Sequence, residues 1–336
     1  MDFSLPESSF SYKSCPEPQK IQQKFKEIIS TCPRNSEWTA FTDLFQYQGY
    51  WYTPRFLEGI VLAQQQFQAQ PHDIILCSHP KTGTTWLKAL GFAIMNRACL
   101  DDSRSNPLSV TTPHECVPYL EVDLYQNKPN RYPELPLLAT HLPYTSLPES
   151  IIASNCKLVY ICRDPKDVFV SLWHFLANVK SKENGHFPLE KAFELFCQGT
   201  SKNGPYWDHV LGYWKASLKW PERVLFLKYE ELKKDPHFHV KRLARFMGCP
   251  FSLDEEREGV VQKTIELCSF QNLKELEVNK TGKYSIFSSV QVDNKKYFRK
   301  GEVGDWKNCL TEEMKERLDE IAAHKLEGSG FTFDFQ

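Results

Sequence analysis

A chain of 336 residues with 41% hydrophobic and 25% charged residues can bury a sizeable core and has the composition of an ordinary globular protein. A net charge of −1 and a pI near 6.8 exclude the large basic excess of a general nucleic-acid binder, while leaving room for a local basic pocket. Eleven cysteines, odd in number and nowhere spaced as C-x-x-C, argue for free thiols in a reducing compartment and against a metal site; no apolar run reaches the length of a membrane span.

In chain order, residues 1–35 are polar and proline-containing and read as a loosely ordered arm. The opening MDFSLPESSFSYKSCPEP lacks the features of a secretory signal or a transit peptide, so a cytoplasmic location is expected. Asp73–Ser78 (DIILCS) is a buried strand, followed by the turn HPKTGTT and a helix over Trp86–Asn96. Leu135–Leu142 is a further strand, and Lys157–Cys162 (KLVYIC) another buried one. Asp164-Pro165 supply an N-cap and an N1 proline for a helix through about Val179, with Val168, Leu172, Phe175, Leu176 and Val179 on its apolar face. Pro205–Leu218 reads as a helix with Tyr206, Val210, Leu211, Trp214 and Leu218 inward. Val224–Leu227 starts a third strand–helix unit, whose helix is capped by Asp235-Pro236 and stops at Gly248. Asn279–Lys300 is polar and aperiodic and reads as a surface loop long enough to serve as a lid. Thr311 caps a last helix carrying Met314, Leu318 and Ile321. This alternation predicts a single α/β domain over 36–336, with a central, mainly parallel sheet flanked by helices and ligands at the carboxyl ends of its strands.

Ser78-His79-Pro80-Lys81-Thr82-Gly83-Thr84-Thr85-Trp86 joins the first strand to its helix. Free N–H groups and the positive end of the helix dipole make such a junction an anion site. Set against the nucleoside-triphosphatase loop G-x-x-x-x-G-K-[ST], Ser78 stands at the first glycine, Gly83 at the second and Thr84 at the lysine. The lysine is displaced into the loop as Lys81, so this is a phosphate loop of another kind. A phosphosulfate anhydride carries less charge than a triphosphate and can be held by donors and lysines without a metal ion.

Four segments resemble the cytosolic sulfotransferases, most closely their plant branch with the flavonol sulfotransferases: PKTGTTW at Pro80–Trp86, THLPY at Thr140–Tyr144, CRDPKDVFVS at Cys162–Ser171 and YFRKGEVGDWKN at Tyr297–Asn308. The resemblance covers nearly the whole chain past about residue 40. It implies a P-loop-like fold, 3′-phosphoadenosine 5′-phosphosulfate (PAPS) as co-substrate with no metal, and a small-molecule hydroxyl acceptor. A flavonol or other phenol comes first; a steroid, hydroxyjasmonate or desulfoglucosinolate follows. Carried over position by position, Lys81, Thr82, Gly83, Thr84, Thr85 and Trp86 form the phosphosulfate loop, with Trp86 near the adenine. Arg163 and Ser171, with Arg299, Lys300 and Gly301, hold the 3′-phosphate. Tyr229 contacts the adenine, and Ser269 and Phe270 add nucleotide contacts. His141 is the implied base, with Lys81 stabilising the leaving phosphate, and Ser171 is implied to bond Lys81 before the acceptor arrives. Ser171 lies about 11 Å from the strand end along the helical rise, so a phosphate can sit between it and Arg163 only if Arg163 reaches along the helix. Phe175 and Tyr144 are candidate pocket walls or core residues. Many animal members carry a lysine where this chain has Ala139, which leaves Lys81 with more of the charge to stabilise. The family's C-terminal dimer motif has no clear counterpart, so a monomer or weak homodimer is expected. The rival readings are a P-loop nucleotide kinase and a non-catalytic adenine-nucleotide binder.

Overall fold

Four short apolar runs form one parallel sheet in a computed structural model that describes residues 11–12, 18–38, 42–99, 106–123, 132, 135–179, 187–287 and 290–333. They are β1 (Ile74–Ser78), β2 (Leu137–Thr140), β3 (Lys157–Cys162) and β4 (Val224–Lys228), in the order β2-β1-β3-β4. The register pairs Ile74 with Leu137 and with Lys157, and Leu158 with Val224. Every residue of β1 is buried, as a strand covered on both faces requires.

Alternate residues feed two cores. Ile75, Cys77, Tyr160 and Phe226 pack with helices α2 (Pro165–Val179), α3 (Tyr206–Lys219) and α5 (Glu312–Leu326). Leu76, Ala139, Ile161 and Leu227 pack on the other face with α1 (Thr84–Met95) and α4 (Pro236–Met247). The two capping aspartates act as read: Asp164 accepts from Lys166 N at 2.8 Å and Asp235 from Phe238 N at 3.0 Å.

Three local expectations change. The strand around His141 spans only Leu137–Thr140, because Pro136 and Pro143 flank it and proline cannot extend the ladder. Leu218 is 60% exposed, since at about 100° per residue it falls about 140° round the helix from buried Tyr213. The polar stretch 279–300 contains a hairpin, Lys283–Phe287 against Val290–Asp293, with Tyr284, Phe287 and Val292 buried. A register shift between Ser285 and Phe287 breaks the period-2 pattern. Two of its polar residues face inward: Asn279 Nδ2 donates to Leu273 O and Asn294 Nδ2 to Val278 O, each at 2.8 Å.

A hairpin of Leu44–Tyr47 with Tyr50–Tyr52, which the sequence reading did not assign, brings Trp51 against the turn before α3. The helix Pro18–Thr31 lies in the stretch read as an arm, and its Phe25, Ile28 and Ile29 pack on the first core.

Candidate active site

The carboxyl ends of β1–β4 open into a cavity of about 350 Å³. Of the residues read from sequence as nucleotide-binding or catalytic, all but Thr82 line it. Thr82 is buried and shapes the loop instead: its hydroxyl donates to His79 O at 2.8 Å.

Between β1 and α1 the chain turns through left-handed backbone at Lys81 (φ 75°) and Gly83 (φ 108°). Glycine is required at the second position for a further reason: a Cβ there would lie 2.7 Å from the Tyr229 ring. The Ser78 and Thr84 hydroxyls bond each other across the loop at 2.7 Å, and Thr85 Oγ1 meets His114 Nε2 at 3.1 Å. The Lys81 ammonium sits 4.2 Å from the centroid of Phe175. Burial, and then the charges of Arg299 and Arg163, hold its pKa down to about 7. Among the described residues no hydrogen bond joins Lys81 to Ser171, although both line the cavity.

Arg163 leaves the end of β3 and reaches one turn along α2. Its Nη2 donates to Asp167 Oδ2 at 3.0 Å and to Glu302 O at 2.6 Å, and its guanidinium carbon lies 4.6 Å from the Tyr229 ring centroid. Asp167 also accepts from Gly304 N at 2.8 Å and Trp306 N at 3.1 Å, so one buried carboxylate ties the 299–306 segment to α2. In that segment Arg299 and Lys300 both pair with Asp305; burial opposes its charge, but the two cations hold its pKa at about 2. The Nε atoms of Arg163 and Arg299 are buried without a partner among the described residues. Gly301 (φ 69°) lies against Phe270, where a Cβ would come within 2.4 Å. Trp86 stands edge-on to Tyr229 at 5.5 Å, and Ser269 caps the short helix that carries Phe270. Two orphaned arginine donors and two glycine-lined approaches fit a doubly phosphorylated nucleotide.

His141 follows β2 directly. Its Nδ1 lies 2.7 Å from Ser78 O. A carbonyl can only accept, so Nδ1 carries the proton and Nε2 keeps a lone pair. Burial is the main cause that lowers its pKa, to about 3; the Ser78 carbonyl opposes this and the Lys202, Lys88 and His209 charges add to it. The backbone N of His141 donates to Glu121 Oε1 at 2.7 Å, and Thr140 Oγ1 donates to Glu121 Oε2 at 2.8 Å. Glu121 is there because Pro118–Leu120 runs beside the outer edge of β2, bridging Ala139.

Phe175 lines the cavity, whereas Tyr144 packs on Tyr213 outside it. Sequence reasoning missed Glu121, Asp167, His114, Tyr119 and Lys202. Asp167 had a signal, standing four residues after Arg163 in the helical pairing position. Lys202 had none.

A sulfotransferase domain model matches residues 71–330. The chain belongs to the sulfotransferase family, and is a PAPS-dependent sulfotransferase. It is 52% identical to a "Flavonol sulfotransferase-like" protein of Flaveria bidentis, over 91% of this chain and 98% of that protein. It is 48% identical to "Cytosolic sulfotransferase 16" of Arabidopsis thaliana, over 93% of each. A crystal structure of a mouse sulfotransferase complexed with PAP superposes with a TM-score of 0.65 at 28% identity, over 85% of this chain and 95% of that one. No described helix is long and apolar enough to cross a membrane.

Proposed function

We propose that the chain sulfates a hydroxyl of a small flat acceptor, a flavonol or other phenol, in the cytosol, with His141 as general base. PAPS supplies the sulfuryl group. The observation that carries the proposal is the 2.7 Å contact from His141 Nδ1 to Ser78 O, which leaves Nε2 unprotonated in the cavity. From there His141 takes the acceptor's proton, and Glu121 fixes its backbone from behind. Lys81 and the first N–H groups of α1 face the charge that builds on the leaving phosphate. Arg163 and Arg299 would hold the 3′-phosphate through the donors now left over, with Tyr229 and Trp86 beside the base. Ser171 lines the same wall and adds a hydroxyl. The family's C-terminal dimer motif has no clear counterpart, which favours a monomer or weak homodimer.

The test is His141→Gln. Binding of adenosine 3′,5′-bisphosphate, followed by calorimetry, should persist while turnover of a phenolic acceptor with labelled PAPS drops by about 10²–10⁴. Turnover near that of the unaltered enzyme would remove His141 from the role.

A further inference from the structure

Among the described residues, six cations line the cavity and no carboxylate does. Five of them belong to the nucleotide end. Lys81 stands on the loop, Arg163 is held by Asp167, Arg299 and Lys300 by Asp305, and Lys233 lies 6.0 Å from the Trp86 ring centroid. Lys202 is the exception. It sits on the turn before α3, where the next residue, Asn203, has a left-handed backbone (φ 65°). That turn is pinned from both sides: Asn203 N donates to Trp51 O at 2.7 Å, and Trp51 N to Gly204 O at 3.0 Å. Asn203 Nδ2 donates to His141 O at 3.3 Å, so Lys202 is fixed next to the base.

Among the described residues the Lys202 ammonium makes no ion pair; it lies 3.7 Å from the Phe56 ring centroid. Glu121, whose field reaches it, is already occupied by Thr140 and His141. Burial holds the pKa of Lys202 down to about 8, against the pull of Glu121. A desolvated ammonium with a ring on one side and no counter-ion is half of an ion site. The walls nearby are rings. Tyr119 lies 4.9 Å from His141, and His114 stacks at 5.8 Å on Tyr119 and sits 4.3 Å from Tyr297. A planar aromatic body fits such walls, and a negative group on it completes the charge.

We infer that Lys202 recognises an anionic group on the acceptor, so that the preferred substrates are flat aromatic hydroxy acids whose carboxylate meets Lys202 while the hydroxyl meets His141. This rests on the reading of His141 as the base.

The experiment compares a hydroxynaphthoic acid with its methyl ester, as acceptors with PAPS and as ligands of the enzyme saturated with adenosine 3′,5′-bisphosphate. One charge-assisted contact should favour the acid about ten- to hundredfold in kcat/KM, carried by KM, and to a similar degree in Kd by calorimetry. Lys202→Met should bring the acid-to-ester ratio close to one, and Lys202→Arg should restore most of it. Equal affinity of the unaltered enzyme for acid and ester overturns the inference. So does a Lys202→Met enzyme whose kcat falls equally on both, since Lys202 would then act on the transferring group. Loss of adenosine 3′,5′-bisphosphate binding by the unaltered protein would instead sink the sulfotransferase reading of the cavity, so the two failures are distinct.

Discussion

Lys81 lies at a pKa of about 7, with burial the main cause and Arg299 and Arg163 adding to it. An anion placed against its ammonium reverses that balance and draws a proton onto it. At pH 8 a group with pKa 7 is roughly one-tenth protonated, so binding adenosine 3′,5′-bisphosphate should take up roughly 0.9 proton per site; at pH 6 the figure is roughly 0.1. The sign for affinity follows. The bound state holds more protons than the free state above pH 7, so Kd should rise toward about tenfold per pH unit there and be flat in this group below it. The ligand's own phosphates titrate near pH 6 and contribute little at pH 8. His79 and His114, buried and held well below the ordinary histidine value, stay neutral throughout. The assay is calorimetry at pH 6 and pH 8 in two buffers of different ionisation enthalpy, on the unaltered chain and on Lys81→Met. Absence of proton uptake at pH 8, or the same uptake in Lys81→Met, would refute the placement of Lys81 against the bound anion.

Asp167→Asn removes the charge that meets Arg163 and weakens the acceptor of Gly304 N and Trp306 N. Breaking a buried pair of this kind should cost about 3 kcal/mol in denaturant unfolding and weaken adenosine 3′,5′-bisphosphate binding in parallel. Gly301→Ala places a Cβ 2.4 Å from the Phe270 ring on left-handed backbone. It should cost roughly 1–3 kcal/mol of stability and raise the nucleotide Kd, both measurable by thermal shift with and without ligand. Glu121→Ala strands the His141 N–H and the Thr140 hydroxyl. It should destabilise by about 1–3 kcal/mol and lower kcat more than it changes nucleotide Kd.

How legible the site was depended on whether function is written locally. Strand β1, the turn and α1 are contiguous, so buried apolar run, glycine and lysine could be read together and the loop emerged intact. Arg163 and its helix were legible for the same reason. The segment around Asn279–Lys300 was not, because a bulge broke the alternation and inward-facing asparagines mimicked a solvated loop. Glu121 and Lys202 were invisible for a different reason. Each is a single charged residue in an unremarkable context, and its importance comes from a distant partner: β2 brings Glu121 to His141, and the Tyr50–Tyr52 strand pins the turn that carries Lys202.

That division has a physical basis in the two cores. Half of the nucleotide end is built from chain that leaves the strands directly, so backbone geometry places Lys81, Arg163 and Tyr229 within one cavity, and Asp167 on the helix after β3 ties in the segment that carries Arg299. The acceptor end is walled by segments drawn from separate parts of the chain: Phe56 from the second core, the Lys202 turn fixed by Trp51 on the first, and His114 and Tyr119 from the chain beside β2. Substitution at the first end acts on parts the fold itself positions and should alter donor binding for every acceptor alike. Among the described residues, Phe56 and the Lys202 turn touch none of the loop, arginine or Tyr229 contacts, so single changes at Phe56 or Lys202 should shift which acceptor is taken while the donor contacts hold.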